Sequence, residues 1–194
     1  MIFVRMPSGE QIKALIEQQA VLPFSYPDVE ATRGPAPPGY AVDHNRIQLG
    51  RGEVAYQRAR RALLRWRMFE LSWVQLCWPN VAMQPGNTVG VLARVAGGWW
   101  LNACRIVYTF DETGEVERLG FAYGTLPEHA ALGEERFTVE WRHADDTVWY
   151  EMLGYSRPNH RLARLGGPLA RRTQKRFAAD SKQAMLAAVG GRAG

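Results

Sequence analysis

From Thr88 to Tyr155 the chain consists of β-forming segments separated by turn signals too short to hold a helix. Thr88–Val95 alternates, with Val89, Val91, Ala93 and Val95 on one face. Gly97-Gly98 turns the chain, Trp99–Phe110 follows, Asp111–Gly114 marks a hairpin, and Val116–Thr125 returns. Glu135–His143 alternates with Phe137, Val139 and Trp141 facing one way. Asp145-Asp146 then turns the chain and Thr147–Tyr155 runs back. Connections this short join antiparallel neighbours, because a parallel crossover needs a dozen or more residues. The segment therefore reads as an antiparallel meander, and one face of it needs an apolar cover. The natural cover is a long C-terminal helix from about Pro168, a good first-turn residue, to Val189, stopped by Gly190-Gly191.

The N-terminal half adds simpler signals. Ser8-Gly9-Glu10-Gln11 fits a capping box that opens a helix to about Ala20. Leu22 to Gly39 carries Pro23, Pro27, Pro35, Pro37 and Pro38 and reads as a loop. Tyr40–Leu49 is a strand. Arg51–Phe69 is a helix with Ala55, Ala59, Ala62, Trp66 and Phe69 on one face and Arg58, Arg61 and Arg65 on another. A strand at Ser72–Trp78 stops at Pro79. The expected architecture is α+β: a curved antiparallel sheet of about six to seven strands wrapped around the long C-terminal helix. Residues 1–39 form an N-terminal helix and Pro-rich extension, and residues 40–190 the main domain. A sheet curled around a helix leaves a gap, and such gaps become ligand cavities.

Bulk properties narrow the class. The 194 residues suit one domain, and a hydrophobic fraction of 46% excludes a disordered chain. Seven each of Trp, Tyr and Phe must line a core or a pocket. No apolar run approaches a membrane span, and the N-terminus lacks a signal-peptide core, so a cytoplasmic location is expected. The net charge of +5 is uneven: residues 157–194 hold seven Arg and two Lys against one Asp. That is either the solvated face of one helix or a surface for nucleic acid or anionic lipid, through Arg164, Arg171, Arg172, Lys175 and Arg176. The helix reading is favoured. Cys77 and Cys104 imply no disulfide framework, and His44, His129, His143 and His160 lack metal-ligand spacing. GxGxxG, P-loop and GxSxG motifs are missing, so no cofactor is expected.

Several stretches together resemble a known family. These are Gly50 with its following helix, Trp66 and Phe69, and Trp100–Arg105; then Gly120–Pro127, His129 and Gly133–Glu135; and finally Ser156–Pro158 and Gln174–Phe177. Over about Tyr40 to Ala184 the chain resembles the bacterial and plant DUF1990 (UPF0548) family. Its element order is similar to the helix-grip fold of START domains and the birch-pollen allergen. Glu128 stands where the family usually has Gly. The resemblance implies the fold and a ligand cavity, with no settled activity.

The candidate ligand-binding residues are Asn102, Tyr123, Thr125, His129, Glu134 and Arg157. Asn102, with Cys104 and Ile106 on one strand face, offers a donor and an acceptor to a ligand or to a neighbouring strand. Cys104 reads as a small buried hydrophobe. His129 with Glu134 or Glu135 has the chemistry of an acid–base pair, or else of a solvated His beside a carboxylate that satisfies loop amides. Arg157, held extended by Pro158, grips an anionic group or pairs with Glu134 or Glu135. The favoured function is binding a small hydrophobic or amphipathic ligand between sheet and helix. An enzyme in the same pocket and an anion-binding protein are the alternatives.

Overall fold

The computed structural model describes residues 1–78, 81–159 and 163–190. Pro79, His160 and Gly191 lie outside them, as does the side chain of Arg164. The chain runs β1 (Ile2–Phe3), α1 (Gly9–Ala20), a 3₁₀ turn (Ala31–Arg33), β2 (Ala41–Arg51), α2 (Gly52–Leu64), and a second 3₁₀ turn (Arg67–Phe69). It continues through β3 (Val74–Cys77), β4 (Thr88–Val95), β5 (Gly98–Glu112), β6 (Val116–Thr125), β7 (Ala131–Arg142), β8 (Thr147–Pro158) and α3 (Ala163–Gly190).

All pairings are antiparallel, in the order β2-β8-β7-β6-β5-β4-β3. The meander forms as its short turns dictate, and β2 joins its far edge through the register Val42↔Tyr155 and Tyr150↔Ile47. The eighth strand, β1, was not expected: two residues pair with the start of β5 (Ile2↔Trp100). Two residues carry too little pattern to read as a strand.

The inner face of the sheet holds the main core. Phe121, Phe137, Tyr150 and Met152 are all buried there, against Tyr56 and Leu63 of α2 and Met185 and Val189 of α3. The expected helix over Arg51–Phe69 stops at Leu64. Trp66 takes a left-handed conformation (φ 58°), and its N–H donates to the Leu63 carbonyl at 2.9 Å. The break turns Trp66 edge-on to Phe121, 4.8 Å between ring centres, and brings Phe69 onto Phe137 and Phe177. A continuous helix would carry these two rings away from the core; aromatic burial outweighs the left-handed strain of about 1 kcal/mol. α3 is pinned by the buried pair Tyr150 Oη and Ser181 Oγ, 2.9 Å apart, and by Trp73 Nε1, which donates to Asp180 at 2.8 Å. It begins at Ala163, earlier than Pro168, running through Gly166 and Gly167 despite their low helix propensity.

α2 lies near the β7–β8 turn, where the Gly52 N–H donates to the Asp146 carbonyl at 2.9 Å and Tyr56 packs on Trp141. It fills that end of the concave trough. The opposite end, toward the β6–β7 connection, is covered by α3 alone.

The outer face is dressed by the N-terminal segment. α1 opens with the expected capping box and seats Ile12, Leu15 and Ile16 on Leu92 and Leu101. Arg105 donates to the carbonyls of Ala20 and Leu22, each at 2.7 Å, and so complements the negative end of α1.

Candidate functional site

Between α3 and the unfilled end of the trough lies a cavity of about 590 Å³. That volume is in the range of small-molecule sites. Its walls are largely apolar and aromatic: Phe69, Trp73, Val91 and Ala93 on one side, Phe177 and Ala178 of α3 on the other. On β5, β6 and β7 strand alternation aims Asn102, Tyr123, Thr125 and Glu135 toward α3, while β2 and α3 add Asp43, Asn45, Lys175 and Lys182 to the lining.

Of the six residues singled out in the sequence, Asn102, Tyr123, Thr125 and His129 line this cavity together. Asn102 accepts the Ala130 N–H through Oδ1 at 3.2 Å. Thr125 Oγ1 accepts the Gly133 N–H at 2.9 Å and meets Ser25 Oγ at 2.6 Å. His129 Nδ1 lies 3.0 Å from both the N–H and the carbonyl of Ala131. Burial pushes the imidazole down to about 4, so it is neutral at physiological pH.

Glu134 borders the cavity only at its backbone, since its side chain turns the other way. The segment around it is strand, not loop: β7 starts at Ala131, and Glu134 sits opposite Gly124 and Tyr155. The carboxylate is buried under residues 25–34 on the outer face. It accepts Tyr26 Oη and the Glu30 N–H at 2.9 Å each, the Thr32 N–H at 3.1 Å, and the Thr32 hydroxyl. Because the Thr32 hydrogen goes to Glu134, the Tyr108 hydroxyl donates to Thr32 Oγ1 at 2.7 Å. The structure thus separates His129 and Glu134 onto opposite sides of the sheet and does not assemble them as an acid–base pair. Glu134 is a structural anchor, the hub through which the Pro-rich segment is bonded to the sheet. Of the neighbouring glycines, Gly124 serves the same docking and Gly133 lets β7 and β8 approach. At Gly124 a side chain would overlap Tyr26, and at Gly133 (φ 146°) it would overlap the Tyr155 carbonyl.

Arg157 belongs to neither arrangement. Its guanidinium lies over the Tyr40 ring, 5.0 Å from the centre, and it makes no ion pair with Glu134 or Glu135 among the described residues. The basic residues of α3 divide as well. Arg171 pairs with Asp43 at 3.2 Å and Arg176 with Asp180 at 3.4 Å, while Arg172 and Lys175 are exposed.

Glu135, read from the sequence as a possible partner of His129 or Arg157, is bonded to neither among the described residues. It faces the cavity beside Tyr123, whose hydroxyl donates to Oε2 at 3.0 Å. The accessible surface it keeps opens into the cavity. Burial raises its carboxyl to about 7, Asp43 adds to the rise, and the Tyr123 hydrogen bond opposes it. The signal was present in the sequence: Phe137, Val139 and Trp141 alternate inward, and Glu135 has the same parity. Cys104 lies behind it, fully buried, with its thiol pushed up by burial. Among the described residues no His, Cys, Asp and Glu group has the arrangement of a metal site.

A family model described as a domain of unknown function, DUF1990, matches residues 25–184. The chain belongs to the DUF1990 family. It is 37% identical to a UPF0548 protein of Dictyostelium discoideum, over 98% of this chain and 96% of that one. It is 32% identical to a UPF0548 protein of Deinococcus radiodurans, over 98% and 100%. Among solved structures it is similar to Ara h 8.0201 (TM-score 0.51, 10% identity, 78% of this chain and 98% of that one). It is also similar to a hypothetical protein from Helicobacter pylori (TM-score 0.50, 12% identity, 77% and 91%). At these identities the likeness concerns the fold, and it places this DUF1990 chain among helix-grip proteins. Among the described residues no helix is long and apolar enough to cross a membrane.

Proposed function

We propose that this DUF1990 domain binds a small hydrophobic or amphipathic molecule in the cavity between sheet and α3. The observation that carries the reading is the cavity itself: about 590 Å³, bordered largely by aromatic and aliphatic side chains, with polar groups among them. Cores pack to crystal-like density, and a well-packed domain does not leave a space of this size without a use. Asn102, Tyr123, Thr125 and His129, joined by Glu135, are the residues proposed to orient a polar end of the ligand. Neutral His129 and the Asn102 amide supply uncharged hydrogen-bonding groups, which suits an interior where an unpaired charge is expensive.

Native mass spectrometry on freshly purified protein, followed by denaturation and identification of released small molecules, tests the reading. A stoichiometric apolar or amphipathic adduct is expected. Protein that carries nothing and takes up no apolar probe such as 1-decanol overturns it.

A further inference from the structure

Glu135 stands among the residues proposed to orient a ligand, with no partner in that ligand yet assigned to it. Its carboxyl takes one hydrogen bond, from Tyr123 to Oε2, which leaves Oε1 of this cavity-lining side chain without a partner among the described residues. The groups around it do not neutralise it. β6 brings Tyr123; β8 brings Tyr150, whose hydroxyl is engaged with Ser181; β5 brings Cys104. β2 brings Asp43, a like charge already paired with Arg171. α3 brings Lys175 and Lys182 to the lining, and Lys182 reaches toward Asn45 Oδ1 at 3.5 Å. His129 also lines the cavity but is held on the Ala131 backbone. Among the described residues no cation makes an ion pair with Glu135.

Resting on the ligand-cavity reading, we propose that the ligand carries a basic amine on an apolar body, and that Glu135 is its counter-ion inside the cavity. Three features converge on an ammonium. A partly buried acid that makes no ion pair, with a like charge nearby, gains from a partner of opposite charge. Its one hydrogen bond positions the carboxylate while leaving an oxygen to accept an N⁺–H. The aromatic residues Phe69, Tyr123 and Phe177 border the same space, and aromatic rings favour a cation. In the empty protein the carboxyl shares its proton near neutrality. Binding an ammonium then expels that proton to solvent, so affinity rises with pH until the amine itself deprotonates.

The test compares decylamine, 1-decanol and decanoate, probes that share one chain, by isothermal titration at pH 8 and pH 5.5, on the wild-type protein and on Glu135→Gln. Glutamine preserves the shape and an acceptor for Tyr123. The expected result is decylamine binding at least tenfold tighter than decanol at pH 8, a smaller ratio at pH 5.5, and a ratio near one in Glu135→Gln. Equal binding of amine and alcohol by the wild type overturns the proposal, as does an amine preference that survives in Glu135→Gln. Decanoate binding tightest also overturns it, and assigns the polar end to Lys175 and Lys182. Failure of decanol as well as decylamine overturns the cavity reading together with this one.

Discussion

Replacing Glu135 with glutamine is expected to stabilise the empty protein, and to do so only above a definite pH. In the fold the carboxyl sits at about 7 against an ordinary 4.5, chiefly because burial disfavours the ion. Below 4.5 both states hold the proton and the group has no differential effect. As pH rises from 4.5 to 7 the unfolded chain releases its proton while the fold retains it, so stability is lost across that window. At roughly 1.4 kcal/mol per pH unit the full difference is about 3 kcal/mol, an upper bound because water entering the cavity relaxes part of it. The amide removes the titration, so Glu135→Gln is expected to gain about 1–3 kcal/mol over wild type at pH 8. The gain shrinks toward zero by pH 4. Urea unfolding of both proteins at pH intervals from 4 to 8.5 measures this. The difference curve is the quantity to read, because His129 acts in the opposite sense on the wild type. Its imidazole is depressed from 6.5 to about 4, so its neutral form is favoured above 6.5 and stability is lost as pH falls from there toward 4. A glutamine variant no more stable than wild type at pH 8, or one whose advantage persists unchanged at pH 4, refutes the reasoning.

Further outcomes follow from the same geometry. Glu134→Ala strands Tyr26, the Glu30 N–H and both donors of Thr32, and is expected to destabilise by about 3–5 kcal/mol and expose residues 25–34 to limited proteolysis. Wild-type resistance in that segment of the variant counts against the anchoring role. Gly133→Ala, at φ 146° and against the Tyr155 carbonyl, is expected to lower the melting temperature by ten degrees or more, roughly 3 kcal/mol, by calorimetry. Ser181→Ala leaves the buried Tyr150 hydroxyl without its partner and is expected to lower stability by about 1–2 kcal/mol in urea unfolding. Cys77, its thiol pushed up to about 11, and fully buried Cys104 are expected to resist thiol reagents in the native protein and to react on unfolding.

Much of the fold was legible because its signals are local. The meander follows from turns too short for anything but antiparallel pairing, and the boundaries of β4 and β6 fall where alternation and turn residues put them. The capping box of α1 is a contact between residues three apart, which is why it reads directly from the sequence. Asn102, Tyr123, Thr125 and His129 stand out in the sequence as polar residues near strand ends of an apolar pattern, and they border one cavity. Glu134 and Glu135 were weighed together as an adjacent pair, although period-two alternation sends them to opposite faces.

The amino-acid order alone thus determined the element types, the antiparallel meander and the parity that puts one carboxylate inside. Those properties depend on periodicity and on chemistry within a few residues. Tertiary structure decided the rest, by bringing together groups far apart in the chain. The bond between Tyr26 and Glu134 joins residues 108 positions apart and turns an apparent site residue into an anchor. The left-handed turn at Trp66 follows from the rings waiting at Phe121 and Phe137, which no local propensity encodes. The cavity exists because α2 fills one end of the trough and α3 alone spans the other, and what remains between packed elements is a property of all of them at once.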